Sequence, residues 1–119
     1  VIESSFIHTS RMNKLVPIFN KLVRRGVKVY IITRDPREHF SPYKEQSERE
    51  IRHFERIGVQ TLICKGNHHR KLAIIDQEIL WEGSLNILSQ VKSREIMRRF
   101  KGGGFAVDMF NFLKLERFI

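Results

Sequence analysis

The feature that most constrains this chain is an amphipathic helical pattern closed by a glycine and followed at once by a run of β-branched residues. From Met12, apolar side chains recur at Met12, Leu15, Val16, Phe19, Leu22 and Val23, in steps of three and four that line one face of a helix. Gly26 supplies the stop, since glycine enters the left-handed conformation at least cost, and Arg24 and Arg25 suit the negative carboxyl end. Val27 to Thr33 then becomes continuously apolar, as interior parallel strands do. With Val1 to Ile7 as a preceding buried strand, in which Ser4 and Ser5 are structural, the order strand, helix, strand requires a right-handed crossover.

The same alternation continues. Ser10 or Asn13 is the expected N-cap of the first helix, and Pro17 predicts a late start or a kink. Ser47-Glu48-Arg49-Glu50 has the form of a capping box, followed by Ile51, Phe54 and Ile57 on one face and by Gly58 as a stop. Val59 to Cys64 is the third strand, and Lys65-Gly66-Asn67 turns the chain into the apolar run Leu72 to Ile75. Glu78 to Glu82 forms a hairpin-like return after Asp76-Gln77, with Trp81 as core, and Glu95 to Phe100 alternates as a last strand. The expected fold class is α/β: a mixed, mostly parallel sheet with helices on both faces. Gly102-Gly103-Gly104 divides residues 1–101, the expected main domain, from residues 102–119. That tail is expected to form an apolar helix packed on the domain, a dimer mate or a continuation of the chain.

Arg34 to Glu45 is polar, contains Pro36 and Pro42, and reads as a loop at the carboxyl end of a strand, where ligand sites of open α/β sheets lie. Arg34, Arg37, His39, Tyr43 and Lys44 either hold substrate there or decorate an exposed loop.

Charge narrows the partners. The 22 Lys and Arg outnumber 13 Asp and Glu, for a net +9, which favours nucleic acid first and anionic membrane second, unless it is only a solvated basic surface. A single cysteine, Cys64, excludes an internal disulfide and suits a reducing, cytoplasmic setting. No apolar run approaches the roughly 18 residues of a membrane span. The chain begins at Val1 without an initiator Met, as a piece of a longer protein would. His53, Cys64, His68 and His69 have no familiar metal-ligand spacing, and neither metal nor cofactor is expected.

The chemistry concentrates in residues 66–95. Side chains alternate along a strand, so His69 and Lys71 project to one side. A neutral imidazole is a competent nucleophile toward phosphorus, and an adjacent ammonium neutralises the non-bridging oxygens. Asp76 closes the strand, where its carboxylate can fix neighbours, and Gly83-Ser84-Leu85-Asn86 can return a hydroxyl and an amide to the same edge. Glu95 either orients a histidine ring or pairs with Arg94 or Arg98. Lys92, Arg94, Arg98, Arg99 and Lys101 form the densest basic cluster, suited to a phosphate backbone.

The pattern H-x-K-x4-D at His69, Lys71 and Asp76, followed by G-S-x-N at Gly83, Ser84 and Asn86, resembles the phospholipase D superfamily signature, and Glu95 resembles the downstream acid of many members. The resemblance covers most of the chain. It is greatest to the single-motif phosphodiesterases and nucleases and to nuclease-like domains attached to helicase-type ATPases. It implies a phospholipase D-like fold in which two motifs share one site, and hence a homodimer. It also implies a metal-independent, two-step reaction through a phosphohistidine. The expected catalytic residues are thus His69, Lys71, Asp76, Ser84, Asn86 and Glu95, with Arg34, Arg94, Arg98 and Arg99 binding substrate. The expected activity is endonucleolytic cleavage of DNA. The alternatives are a DNA-binding module of a helicase or ATPase protein, or a phospholipid phosphodiesterase.

Overall fold

A computed structural model describes residues 1–66 and 68–119. Among the described residues, six strands and three α-helices run in the order β1 (Ile2–Glu3), α1 (Thr9–Arg24), β2 (Tyr30–Arg34), α2 (Tyr43–Ile57), β3 (Gln60–Cys64), β4 (Leu72–Ile75), β5 (Ile79–Gly83), β6 (Met97–Lys101) and α3 (Phe105–Phe112). The expected turn at 65–67 includes Asn67, which lies outside the described residues. The strands form one sheet in the order β3-β2-β1-β4-β5-β6. The α/β fold with a mixed sheet is as the periodicity predicts, but the parallel pairings are β1 with β2 and β2 with β3, while the other three are antiparallel. Parallel pairs therefore do not predominate. The reason is connection length: β4 ends at Ile75 and β5 starts at Ile79, a gap too short for a crossover.

Alternation along the strands divides the core in two. Ile31 points to one face, where Met12, Phe19, Ile51 and Phe54 of α1 and α2 pack, whereas Ile32 points to the other, with Leu72, Ile74, Leu80 and Ala106 and Phe110 of α3. Helices thus cover both faces, but over different halves: α3 packs on β4, β5 and β6. Phe54 is sealed from solvent, a burial that contributes about 1.5–3 kcal/mol. Among the described residues no helix is long and apolar enough to cross a membrane.

Element ends differ from the sequence expectations for tertiary reasons. Helix α1 starts at Thr9 rather than near Met12; neither Ser10 nor Asn13 caps it, and His8 does so by accepting from Ser10 N at 3.2 Å. Pro17 lies inside this helix. Helix α2 starts at Tyr43, so Arg34 to Glu45 is not wholly loop and the supposed capping box, Ser47 and Glu50, is buried within the helix. These α2 side chains serve α1 instead, with Gln46 Oε1 accepting from Thr9 N at 2.8 Å and Glu50 Oε1 accepting from Thr9 Oγ1 at 3.1 Å. The apolar tail is helical only through Phe112, and Lys114, at φ 54°, separates it from a short 3-10 turn at Leu115–Arg117.

Gly58 joins α2 to β3 in the left-handed conformation at φ 91°, and a Cβ there would stand 2.9 Å from Val23 Cγ1 of α1. Backbone strain and steric conflict combine at Gly58. Gly58→Ala is expected to lower stability by about 1–2 kcal/mol, measured as a fall in the urea midpoint at unchanged slope; an unchanged midpoint would contradict the packing described.

Candidate active site

The register of the hairpin assembles the site. Leu72 pairs with Glu82, so Lys71 falls opposite Gly83, whose N–H donates to Lys71 O at 3.3 Å. On the other side of β5, Gly83 pairs with Met97. A Cβ on Gly83 would lie 2.0 Å from the Ile96 carbonyl oxygen, so only glycine lets β6 approach this closely. Ser84 N donates to that same carbonyl at 2.9 Å, and Ile96 N donates to Ser84 Oγ at 3.1 Å. The edge lies at the carboxyl ends of β1 and β2, because Glu3 pairs with Ile32 and with Leu72.

Lys71 Nζ donates to the His69 carbonyl at 2.7 Å, which holds the ammonium against the histidine's backbone and leaves two further N–H groups for an anion. Ser84 Oγ donates to Glu95 Oε2. Hydrogen bonds from Ser84 and Ser93, with the Lys71 charge nearby, hold the Glu95 carboxyl below the usual range, so it is ionised at neutral pH. Glu95 therefore takes its hydrogen bonds from serine hydroxyls; it forms neither the histidine contact nor the pair with Arg94 or Arg98 that its position had left open.

The segment before β4 is fixed from beneath. Glu3, fully buried in β1, accepts from Arg70 Nε at 2.9 Å, and its Oε1 lies 2.8 Å from His68 Nε2. This second contact is a close polar approach and not a well-formed hydrogen bond. Ser5 Oγ donates to the His68 carbonyl. Burial raises the Glu3 carboxyl, but its contacts with His68 and Arg70 outweigh that effect and leave it below the usual range. His68 and Arg70, the two neighbours of His69, are thus both held by one carboxylate, while His69 itself is exposed. Glu3 carried no spacing signal in the sequence; the available hint was a lone carboxylate inside a strand read as buried.

The other predicted residues are placed as follows. His69, Lys71 and Gly83 line one cavity of about 370 Å³ together with Arg98. Asp76 lies at the far end of β4, in a turn where it and Gln77 have φ of 54° and 52°, and four strand residues at about 3.3 Å each separate it from Lys71. Asn86 is buried and lines a second cavity with Phe6, His8, Tyr43 and Ser47, its Oδ1 without a protein partner. Arg34 Nε donates to Glu38 Oε2 at 2.9 Å, and Glu38 Oε1 accepts from Gly66 N at 2.6 Å, so Arg34 braces the turn leading to His68 and is absent from the lining of the His69 cavity. His39 is buried, with Nε2 3.2 Å from the Ser5 carbonyl. Arg94 is exposed between β5 and β6, and Arg99, opposite Trp81, projects to the face away from Arg98. Among the described residues no group of three or more His, Cys, Asp and Glu side chains is arranged to hold a metal ion.

Comparison with known proteins identifies the family and the fold. A family model described as cardiolipin synthase, PLD-like domain, matches residues 2–101. No curated protein matches the chain. Among solved structures, the chain is similar to Nuc from Salmonella typhimurium, a phospholipase D family member, with a TM-score of 0.69 at 18% identity over 95% of this chain and 73% of that one. At that identity the likeness establishes the fold.

The Glu3 network sets a pH dependence. A carboxyl whose folded value lies below its unfolded one stabilises the fold fully above the ordinary value of 4.5, and this contribution is lost as pH falls through the lower, folded value. Glu3→Gln is expected to cost about 3 kcal/mol at neutral pH, with the gap to wild type shrinking on acidification below the ordinary carboxylate range. Denaturant titrations at several pH values check this; a gap that does not change with pH would contradict an ionised Glu3.

Proposed function

We propose, from the premise that the chain belongs to the PLD-like domain family, that it is a metal-independent phosphodiesterase acting on nucleic acid, DNA foremost, through His69. The observation that carries this reading is the register that sets Lys71 against Gly83, with Ser84 and Glu95 beside them and His69 exposed at the same edge.

In the first step a nitrogen of the His69 imidazole attacks phosphorus, forming a P–N bond as the bond from phosphorus to the leaving oxygen breaks. A second imidazole protonates that oxygen. It then takes a proton from water, whose oxygen attacks phosphorus and displaces the His69 nitrogen, restoring the ring. Lys71 and Arg98 neutralise the non-bridging oxygens. Glu95, ionised and engaged by Ser84, keeps the Lys71 ammonium beside the reacting phosphate. Asn86 contributes by shaping the chain after β5, where its carbonyl accepts from Ser89 N at 3.0 Å. Asp76, by its place in the turn, sets the hairpin register rather than touching substrate.

The second imidazole comes from His69 of a second copy. Lys71, Ala73 and Ile75 lie on the face of β4 opposite α3, and Ile75 is 45% exposed there, flanked by the partly exposed Ile79 and Trp81 of β5. An apolar strip on the same face of the sheet as Lys71 is the surface that an isologous dimer with a shared site would bury. Net charge of +9 favours a polyanionic substrate.

The test is nicking of supercoiled plasmid in excess EDTA with wild type, His69→Ala and Ile75→Glu. Wild type is expected to cut, His69→Ala to be inert, and Ile75→Glu to sediment as a monomer with greatly reduced cutting. Cleavage that requires added metal, survives in His69→Ala, or persists in a monomer would overturn the corresponding part of the proposal.

A further inference from the structure

The cavity that His69 and Lys71 line has a second wall that phosphate chemistry does not explain. It continues over the α3 face of the sheet, where it is lined by Glu82, Arg98, Met109 and Phe112. Glu82 and Arg98 are directly opposite residues on β5 and β6, where opposite charges ordinarily pair. They form no ion pair, and neither has another such partner among the described residues. A hydrogen-bond acceptor and a cation are therefore both available at the wall. Facing them, Phe112 is 77% exposed on the last turn of α3, with the flexible Met109 one turn before it.

We infer that this wall is a nucleobase subsite, in which the nucleotide next to the cleaved phosphate stacks its base on Phe112 while Glu82 accepts from the base's exocyclic amine and Arg98 meets the adjoining phosphate. An aromatic face, a lone acceptor and a guanidinium within one cavity of about 370 Å³ match an amino-bearing base joined to a phosphate. An acyl chain would match Met109 and Phe112 but would cover the Glu82 carboxylate and the Arg98 guanidinium without offering either a polar group. The base must leave its helical stack to reach Phe112, so the substrate class is single-stranded nucleic acid. This inference rests on the phosphodiesterase reading only in placing the phosphate at His69.

The experiment is fluorescence anisotropy at fixed salt on the His69→Ala background, comparing a single-stranded oligocytidine DNA with an abasic strand of the same length and charge. The cytidine strand is expected to bind about tenfold more tightly, as one stacked base supplies. Adding Phe112→Ala should bring the ratio close to one; the residue is exposed, and a thermal melt of the variant establishes that it folds. Adding Glu82→Gln should lower the preference for oligocytidine over oligothymidine. Equal affinity for cytidine and abasic strands, or a ratio untouched by Phe112→Ala, would overturn the subsite. So would anionic phospholipid vesicles losing affinity in the Phe112→Ala protein while the oligonucleotides do not. Because binding is read without turnover, failure of plasmid cleavage would count against the phosphodiesterase reading alone.

Discussion

One ionised carboxylate in the middle of the sheet is the interaction on which the site depends. Burying a charge costs several kcal/mol unless partners replace its water, and the Oε1 of Glu3 finds them in Arg70 and His68. Those partners flank His69, so the contacts that make Glu3 tolerable also fix the backbone at the proposed nucleophile. The hydroxyl of Ser5 holds the same stretch through the His68 carbonyl, and Glu38 holds it from the other side through Gly66 N. The exposed imidazole needs no hydrogen bond of its own to be placed, because its neighbours are tied to β1 and to the turn after β2.

The unequal covering of the sheet is what suits one short chain to the proposed polyanionic substrate. Over β1, β2 and β3, α1 and α2 bury Ile31, Phe54 and Val59. Over β4 and β5, α3 buries Leu72, Ile74 and Leu80 from the opposite side. The face of β4 that carries Lys71 is thereby left open at Ile75, while the α3 face carries Glu82, Arg98 and Phe112. His69 stands where the two faces meet, so in the proposed complex a substrate strand crosses the edge with its phosphate at His69 and a base beside α3, and the proposed second copy approaches from the open side.

Much of the architecture was legible because it rests on local periodicity. The stops at Gly26 and Gly58, the strand Leu72–Ile75 and the tight return to β5 all follow from residue type and spacing, and with them the pairing that sets Lys71 against Gly83. What stayed hidden depends on partners distant in sequence. Arg70 meets Glu3 across 67 positions, and the acceptors of Thr9 come from Gln46 and Glu50 in another helix, so neither the buried clamp nor the true start of α1 could be read along the chain. Motif spacing also says which residues share an edge and not which cavity each side chain enters. For that reason Asn86 and Arg34 line surfaces other than the His69 cavity, and Glu95 takes its hydrogen bonds from serines.

The most direct test is to trap the covalent intermediate. Wild-type protein turning over a single-stranded oligonucleotide in EDTA is quenched in alkaline denaturant, where phosphoramidates persist, and its peptides are mapped by mass spectrometry. The expected result is a nucleotide adduct on the His69 imidazole, absent from His69→Ala. Continued cleavage with no adduct, or an adduct on His68, would contradict the assignment of His69 as the nucleophile.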